Sequence, residues 1–230
     1  MLILALDTSS VSASCALVED GKTVAAGFLN AKITHSATLM PMIEELFKVS
    51  GKKFESVSML AATSGPGSFT GVRIGASILL GLAYGKDLPC VGVSSLQTTA
   101  YPFDNETFYG KIICPVMDAR RGQFYNALFK DGKRLTEDRA ISADDLSKEL
   151  INLDAPVVIC GDGAELAVRL MPDIRFIRPP AQLIYPTAAN AARLANEIYD
   201  KADDKSVYSD LSFKPVYLRP SQAERDQNNN

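Results

Sequence analysis

Short uninterrupted runs of apolar residues, each about as long as one strand, alternate along this chain with longer stretches of helical spacing. Residues 2–6 are all apolar and are followed by Asp7, which predicts a central strand covered on both faces. Residues 14–19 and 22–29 predict two further strands, joined at Asp20-Gly21, a pair typical of a tight hairpin. The chain is therefore expected to open as a three-stranded meander whose first turn is rich in hydroxyl groups.

Residues 57–85 predict a strand, a glycine-rich turn and an unusually apolar helix. The turn at 65–67 holds two glycines around a proline, and glycine lets the backbone approach a neighbour closely. Thr70 is expected to cap the helix, in which Arg73 is the only charged residue and apolar side chains point in nearly every direction. The helix is shorter than the roughly 20 residues that span a bilayer. We therefore predict that one side packs on the chain's own sheet and the other on a second polypeptide.

A second helix, predicted over residues 33–50, has the same excess of apolar surface. Thr34 or Ser36 is expected near its N-cap, and Pro41 is tolerated best in a first turn, which favours a start nearer Leu39. The apolar residues form two adjoining stripes instead of one, and the pattern does not decide which stripe faces the core. One stripe consists of Leu39, Met42 and Leu46, and the other of Met40, Ile43 and Phe47.

Beyond a polar loop at 102–110, the order of a strand, an aspartate and hairpins recurs, which suggests an internal duplication. Residues 111–117 resemble the opening strand and end at Asp118. We divide the chain into an N-terminal lobe of residues 1–104, a C-terminal lobe of residues 105–221 and a disordered tail of residues 222–230. Other predicted elements are strands at 89–93, 122–130 and 156–160, helices at 94–101, 142–151, 163–170 and 187–201, and an extended segment at 214–219.

Composition narrows the functional class. The 230 residues carry a net charge of −3, which argues against a protein that binds nucleic acid by itself, although not against a subunit of a complex that does so through another chain. The N-terminus resembles neither a signal peptide nor an anchor, and we expect a cytoplasmic protein. The four cysteines lie in apolar runs and are expected to be reduced core residues: Cys15, Cys90, Cys114 and Cys160.

Several blocks of residues together resemble the TsaB (YeaZ) family over essentially the whole chain. The most specific is the stretch from Gly65 to Arg73. The others are Asp7-Thr8-Ser9, Gly92 to Leu96, Asp118-Ala119-Arg120 and Pro215 to Arg219. The resemblance implies an α/β fold of the actin-like ATPase type (ASKHA), with two duplicated ribonuclease H-like lobes.

The resemblance also implies a role without chemistry of its own. Members of this family pair with a TsaD-like catalytic subunit, which transfers a threonylcarbamoyl group from threonylcarbamoyl-adenylate to the tRNA adenosine next to the anticodon. A TsaE-like ATPase also joins, tRNA is reached only through the complex, and a homodimer forms when the partner is absent. The partner interface is expected on the helices at 34–49 and 70–85, at Met40, Ile43, Phe47, Ile74, Ile78 and Leu82.

No catalytic residue and no metal site are expected. The TsaD-like subunit uses His-x-x-x-His on the helix where this chain has Ser95 and Thr99, and hydroxyl groups replace imidazole poorly at a transition metal. ATP and Mg²⁺ remain a weaker alternative, with residual contacts at Asp7, Thr8, Gly65, Gly67, Ser68 and Asp118. We favour instead that the aspartates cap turns and that the glycines allow close helix packing.

Two enzymatic alternatives stay open. One is a small ATP-binding phosphotransferase of the same fold. The other is a peptidase that acts on the sister subunit through Ser68 or the lone histidine, His35. For His35 we favour a hydrogen bond at the helix start or a partner contact, and for Arg120-Arg121 we favour solvation.

Overall fold

The opening meander is present and extends into a five-stranded sheet. The structure is a computed structural model that describes residues 1–153 and 155–219. The strands of this first sheet lie in the order β3-β2-β1-β4-β5, with β1 central, parallel to β4 and antiparallel to β2. They are β1 (Leu2–Asp7), β2 (Ala13–Glu19), β3 (Lys22–Leu29), β4 (Met59–Gly65) and β5 (Cys90–Ser94).

Helices cover both faces of the first sheet, as the apolar run in β1 predicts. Helices α1 (His35–Ser50) and α2 (Phe69–Ala83) pack with Leu4 and Leu6 on one face. Helix α6 (Ala188–Lys201) packs with Ile3 on the other. Successive side chains of β1 therefore enter two separate cores, because side chains alternate along a strand.

The second sheet repeats the beginning of the first. Strand β6 (Ile112–Asp118) is central and buried, and like β1 it ends in an aspartate. The order is β10-β7-β6-β11-β12, with β8 paired to β6 and β9. Its other strands are β7 (Gln123–Asn126), β8 (Phe129–Lys130), β9 (Lys133–Arg134), β10 (Arg139–Ser142), β11 (Val157–Cys160) and β12 (Phe176–Ile177), and its helices are α4 (Ala143–Ile151) and α5 (Ala164–Leu170). A short helix, α3 (Ser95–Ala100), contacts β6 from the first half of the chain.

Three local predictions are wrong. The strand expected at 122–130 is split, because the buried side-chain amide of Asn126 donates to the carbonyl oxygens of Pro115 and Ala127 where the ladder would continue. Helix α1 has Thr34 at its N-cap, as predicted, but it begins at His35 and carries Pro41 in its interior, so the start favoured near Leu39 is wrong. The N-cap of α2 is Ser68, not Thr70, and its Oγ accepts a hydrogen bond from the Gly71 N–H at 3.2 Å.

The predicted C-terminal lobe, 105–221, also needs correction. Helix α6 and Phe213 pack on the first sheet, so the end of the chain returns to the half from which it started. The predicted tail at 222–230 lies outside the described residues. All four cysteines are buried and unpaired, and burial raises the pKa of Cys15 to about 12. No helix within the described ranges is both long and apolar enough to cross a membrane.

Candidate functional site

A cleft of about 660 Å³ opens where β1 and β6 end. The turn after Asp7, the glycine-rich loop before α2 and the turn after Asp118 meet there, because equivalent strands of the two sheets end at the same edge. The lining residues also include Lys32, His35, Asp162, Tyr217 and Arg219. The duplicated architecture thus brings together groups that are far apart in the sequence.

Asp7, the last residue of β1, is fully buried behind the first turn, whose Ser9 and Ser10 line the cleft. Its Oδ1 accepts hydrogen bonds from Thr63 Oγ1 at 2.6 Å and from Ser9 Oγ at 2.7 Å, whereas its Oδ2 has no partner among the described residues. Burial raises the pKa of Asp7, and the hydrogen bonds from Ser9 and Thr63 oppose that shift. The carboxyl group therefore holds the first turn in place.

Asp162 is a cleft residue that sequence reasoning missed. It lies between two glycines directly beyond the end of β11, whereas Asp7 is the last residue of β1, and an aspartate at the end of an apolar strand is the signal that could have identified it. Its Oδ1 is buried without a partner among the described residues. Burial raises the pKa of Asp162 to about 6, and the charges of Asp118 and Asp7 add to the shift.

We expect Asp162→Asn to stabilise the protein at neutral pH. Since the pKa of Asp162 is raised from 3.8 to about 6 by folding, the folded state holds this proton more tightly than the unfolded state does. This tighter binding of the proton stabilises the folded state by about 3 kcal/mol below pH 3.8, and the stabilisation is lost as the pH rises through about 6. The amide does not titrate, so the fall in the free energy of unfolding between pH 4 and 8, measured by urea unfolding, should be about 2 kcal/mol smaller than in the wild type.

The matched control is Asp173→Asn, at an exposed carboxylate outside the cleft. It should keep the wild-type dependence of stability on pH. If Asp162→Asn also keeps the wild-type slope, the buried position of this carboxyl group is incorrect.

The glycine-rich loop is filled by the chain itself. A Cβ added at Gly67 would lie within 3.0 Å of the Ser9 carbonyl oxygen, and one at Gly71 equally close to that of Thr8. The Ser68 N–H donates to the Ser9 carbonyl oxygen at 2.8 Å, and Thr8 Oγ1 donates to the Gly71 carbonyl oxygen at 2.8 Å. The glycines thus allow the first turn to sit against the start of α2.

An actin-like fold implies that a nucleotide phosphate lies against the first turn and the glycine-rich loop. The contacts of these two segments show whether a phosphate fits there. The hydroxyl groups of the first turn bond within the chain: Ser9 Oγ to Asp7, and Ser10 Oγ to Ser12 Oγ at 2.9 Å. Asp118 Oδ1 already accepts the Arg120 N–H at 2.7 Å. With the hydroxyl groups of the first turn engaged and the carboxyl groups of Asp118 and Asp162 lining the cleft, the first turn does not fit a phosphate group.

The remaining catalytic candidates make local bonds. His35 Nε2 donates to the Ser10 carbonyl oxygen at 3.0 Å, which joins the start of α1 to the first turn. Ser95 and Thr99 are buried one turn apart on α3, where Thr99 Oγ1 donates to the Ser95 carbonyl oxygen at 2.8 Å. Within residues 1–153 and 155–219, no three His, Cys, Asp or Glu side chains are placed to hold a metal ion.

Beside the cleft, α1 and α2 lie side by side and leave apolar side chains only partly covered. Helix α2 buries Val72, Ala76 and Leu79, whereas Ile74, Ile78 and Leu82 are partly buried along its flank, where Ile74 lines the cleft and the other two pack at the edge of the core. On α1, Met40 and Phe47 are partly buried. The predicted set of partner contacts is wrong at Ile43, because this side chain is 2% exposed and belongs to the core. We call Met40, Phe47, Ile74, Ile78, Leu82 and the 84%-exposed Tyr84 the two-helix surface.

The predicted extended segment, 214–219, runs along one side of the cleft. The Val216 N–H donates to the Ser64 carbonyl oxygen at 2.7 Å, and Arg219 Nη1 donates to the Ala119 carbonyl oxygen at 2.8 Å. Between them, the Tyr217 ring lies 4.8 Å from that of Phe69, and Arg73 Nε donates to the Tyr217 hydroxyl at 3.0 Å. The segment therefore links the two lobes.

Comparison with known proteins shows consistent likeness in sequence. A family model described as "TsaD: tRNA N6-adenosine threonylcarbamoyltransferase" matches residues 29–212. The chain is 31% identical over 228 residues to the "tRNA threonylcarbamoyladenosine biosynthesis protein TsaB" of Bacillus subtilis, with 97% of this chain and 96% of the relative covered.

Solved structures show the same relationship. "YeaZ from Pseudomonas aeruginosa" superposes with a TM-score of 0.76 at 25% identity, over 94% of this chain and 99% of that one. Component A of (R)-2-hydroxyglutaryl-CoA dehydratase from Acidaminococcus fermentans superposes with a TM-score of 0.52 at 15% identity, over 87% of this chain and 100% of that one. The latter likeness concerns the fold alone, and the predicted actin-like ATPase fold is confirmed.

Proposed function

Because the chain belongs to the TsaB family of tRNA threonylcarbamoyladenosine biosynthesis proteins, we propose that it is the non-catalytic subunit that pairs with a TsaD-like enzyme and activates it. The TsaD-like subunit then transfers the threonylcarbamoyl group from threonylcarbamoyl-adenylate to the tRNA adenosine next to the anticodon. A TsaE-like ATPase completes the cytoplasmic complex. Without its partner, the chain forms a homodimer through the same surface.

The main support for this proposal is the two-helix surface, whose apolar side chains the chain itself covers only in part. A helix that is apolar all round is stable in water only when both sides are covered, and the first sheet covers only one side of α2. Ile74, Ile78 and Leu82 follow one another at helical spacing along a flank of α2 that the rest of the chain covers only in part. A contiguous apolar patch of this kind is typical of a protein–protein interface.

A second chain could approach α2 closely. Gly81 lies on the exposed side, and nothing stands within 4 Å of a Cβ added there. Ser77, one turn earlier, is also small and exposed. Small residues of this kind let another backbone come near, while the apolar side chains beside them supply the area that is buried on association. A TsaD-like partner with the same fold would offer the equivalent pair of helices.

We propose the absence of catalysis because of the residues found on α3 and around the glycine-rich loop. Ser95 and Thr99 stand where the TsaD-like enzyme is expected to carry its paired histidines, and Thr99 bonds within its own helix. The glycine-rich loop is occupied by the carbonyl oxygens of Thr8 and Ser9. These features support a subunit that acts by pairing. Reconstituting transfer to tRNA with and without this chain tests the proposal.

A further inference from the structure

Five cationic side chains stand around the mouth of the cleft, in a protein whose net charge is −3. Lys32 precedes α1, Arg120 and Arg121 form the turn between β6 and β7, Arg73 is on the first turns of α2, and Arg219 ends the extended segment. Lys32, Arg120 and Arg219 line the cleft directly. We call these five residues the basic rim: Lys32, Arg73, Arg120, Arg121 and Arg219.

Three members of the basic rim are held in a backbone conformation that side chains disfavour. Lys32, Arg120 and Arg121 have φ of 55°, 67° and 56°. The other non-glycine residues with positive φ among those described are aspartates, which tolerate this region better. Because such strain costs free energy and tends to occur at functional sites, these three cations need an explanation beyond solvation.

Most of the basic rim has no counter-charge in the described part of the chain. Only Arg120 forms an ion pair there, with Asp118 at 3.3 Å, and its own side chain is 83% exposed. Lys32, Arg73 and Arg121 are exposed. The long, solvated side chains can therefore reach an external anion.

The floor of the cleft determines where that anion can lie. Asp118 and Asp162 line the cleft, the Oδ1 of Asp162 is buried, and the fully buried Asp7 lies behind the first turn. Carboxyl groups repel a phosphate that goes deep, while the cations attract one at the mouth. An anion that carries repeated charges and crosses the mouth fits this arrangement better than a nucleotide with its phosphates on the floor.

Aromatic groups beside the cations favour a nucleic acid as the anion that crosses the mouth of the cleft. The Arg73 guanidinium lies 4.0 Å from the centre of the Phe69 ring, and the neighbouring Tyr217 is 42% exposed. Stacked aromatic and guanidinium planes are a common platform for unpaired bases in RNA. An acidic polypeptide would use the charges but not this platform.

We propose that the basic rim binds the phosphate backbone of RNA and that, resting on the proposed function, this RNA is the tRNA brought to the TsaD-like partner. The rim contributes to affinity but not to sequence choice, because phosphate contacts carry no base information. The acidic protein as a whole binds tRNA weakly by itself, and the partner supplies the remaining contacts. The arginine pair, favoured as merely solvated on sequence grounds, becomes part of a site once the fold places Lys32 and Arg219 beside it.

The test measures tRNA binding by the assembled pair. Labelled tRNA is titrated with the wild-type pair and with a pair whose chain carries Lys32→Gln, Arg120→Gln and Arg121→Gln, at several salt concentrations. We expect about tenfold weaker binding and a salt dependence of log K that is less steep by about two. The control, Lys133→Gln, Lys148→Gln and Lys201→Gln, removes the same charge at exposed lysines outside the cleft, and should bind within about twofold of wild type.

Size-exclusion chromatography shows whether each variant still pairs with the TsaD-like subunit, and it therefore distinguishes a failure of the rim proposal from a failure of the proposed function. If the rim variant still pairs but binds tRNA as the wild type does, or no more weakly than the control, the rim proposal is overturned. It is also overturned if tRNA binding persists while association with the ATPase subunit is lost, because the rim then binds protein. If the wild-type chain does not pair, the proposed function fails. The rim is then judged by the same variants of the isolated chain, with tRNA at low salt.

Discussion

Gly71→Ala is expected to lower the free energy of unfolding by about 3 kcal/mol, and side-chain movement cannot relieve the clash because the atom that the added methyl group meets is backbone. The added methyl group would fall within 3.0 Å of the Thr8 carbonyl oxygen. To make room, the first turn must move away from α2, and the hydrogen bond from Thr8 Oγ1 to the Gly71 carbonyl oxygen would be lost. Urea unfolding followed by circular dichroism measures the change.

Gly81→Ala is the matched control, with the same substitution on the same helix. Nothing lies within 4 Å of its added Cβ, so the change should stabilise α2 by up to about 1 kcal/mol through helix propensity alone. Equal effects of the two substitutions would contradict the close contact between the first turn and α2.

Ile78→Glu is expected to weaken association with a TsaD-like subunit about 100-fold, or by roughly 3 kcal/mol, while the fold stays largely intact. Ile78 is partly buried at the edge of the core, on the partly covered flank of α2. A carboxylate at this position can be solvated in the isolated chain, but it would lose water at an apolar interface. Fluorescence anisotropy gives the dissociation constant, and light scattering shows whether the homodimer is lost as well.

The control for Ile78→Glu is Leu170→Glu, which places the same charge at a 43%-exposed apolar residue of α5, away from the two-helix surface. It should leave pairing unchanged. If Ile78→Glu unfolds the chain, Ile78 belongs to the core. If it folds and pairs normally, the two-helix surface is not the interface.

The parts of the fold that the sequence predicts are those set by local patterns. Strand β1 must be apolar throughout because helices cover both of its faces, and the residues of 2–6 meet that requirement. Asp20-Gly21 likewise marks its hairpin without reference to the rest of the chain. The recurrence of this pattern at β6 suggests an internal duplication, whereas the two-lobe actin-like fold is predicted from the resemblance to the TsaB family.

What the sequence does not predict depends on contacts between distant residues. Both stripes of α1 are apolar, and only the position of the sheet places Ile43 in the core and leaves Met40 at its edge. Asp162 acquires its environment from the turns that carry Asp7 and Asp118, more than 40 residues away. The total charge likewise conceals the basic rim, because cations from four separate segments meet only in the folded chain.

The most direct test of the central claim, that this chain activates transfer without performing it, is a drop-out assay. Threonylcarbamoyl transfer from the adenylate to tRNA is measured for the TsaD-like and ATPase subunits with this chain, for the same subunits without it, and for this chain alone. We predict that transfer requires this chain, and that the chain alone neither transfers the group nor hydrolyses ATP with Mg²⁺. Transfer by the isolated chain would contradict the account. Magnesium-dependent ATP turnover by the isolated chain would contradict it as well and would favour a phosphotransferase of the same fold.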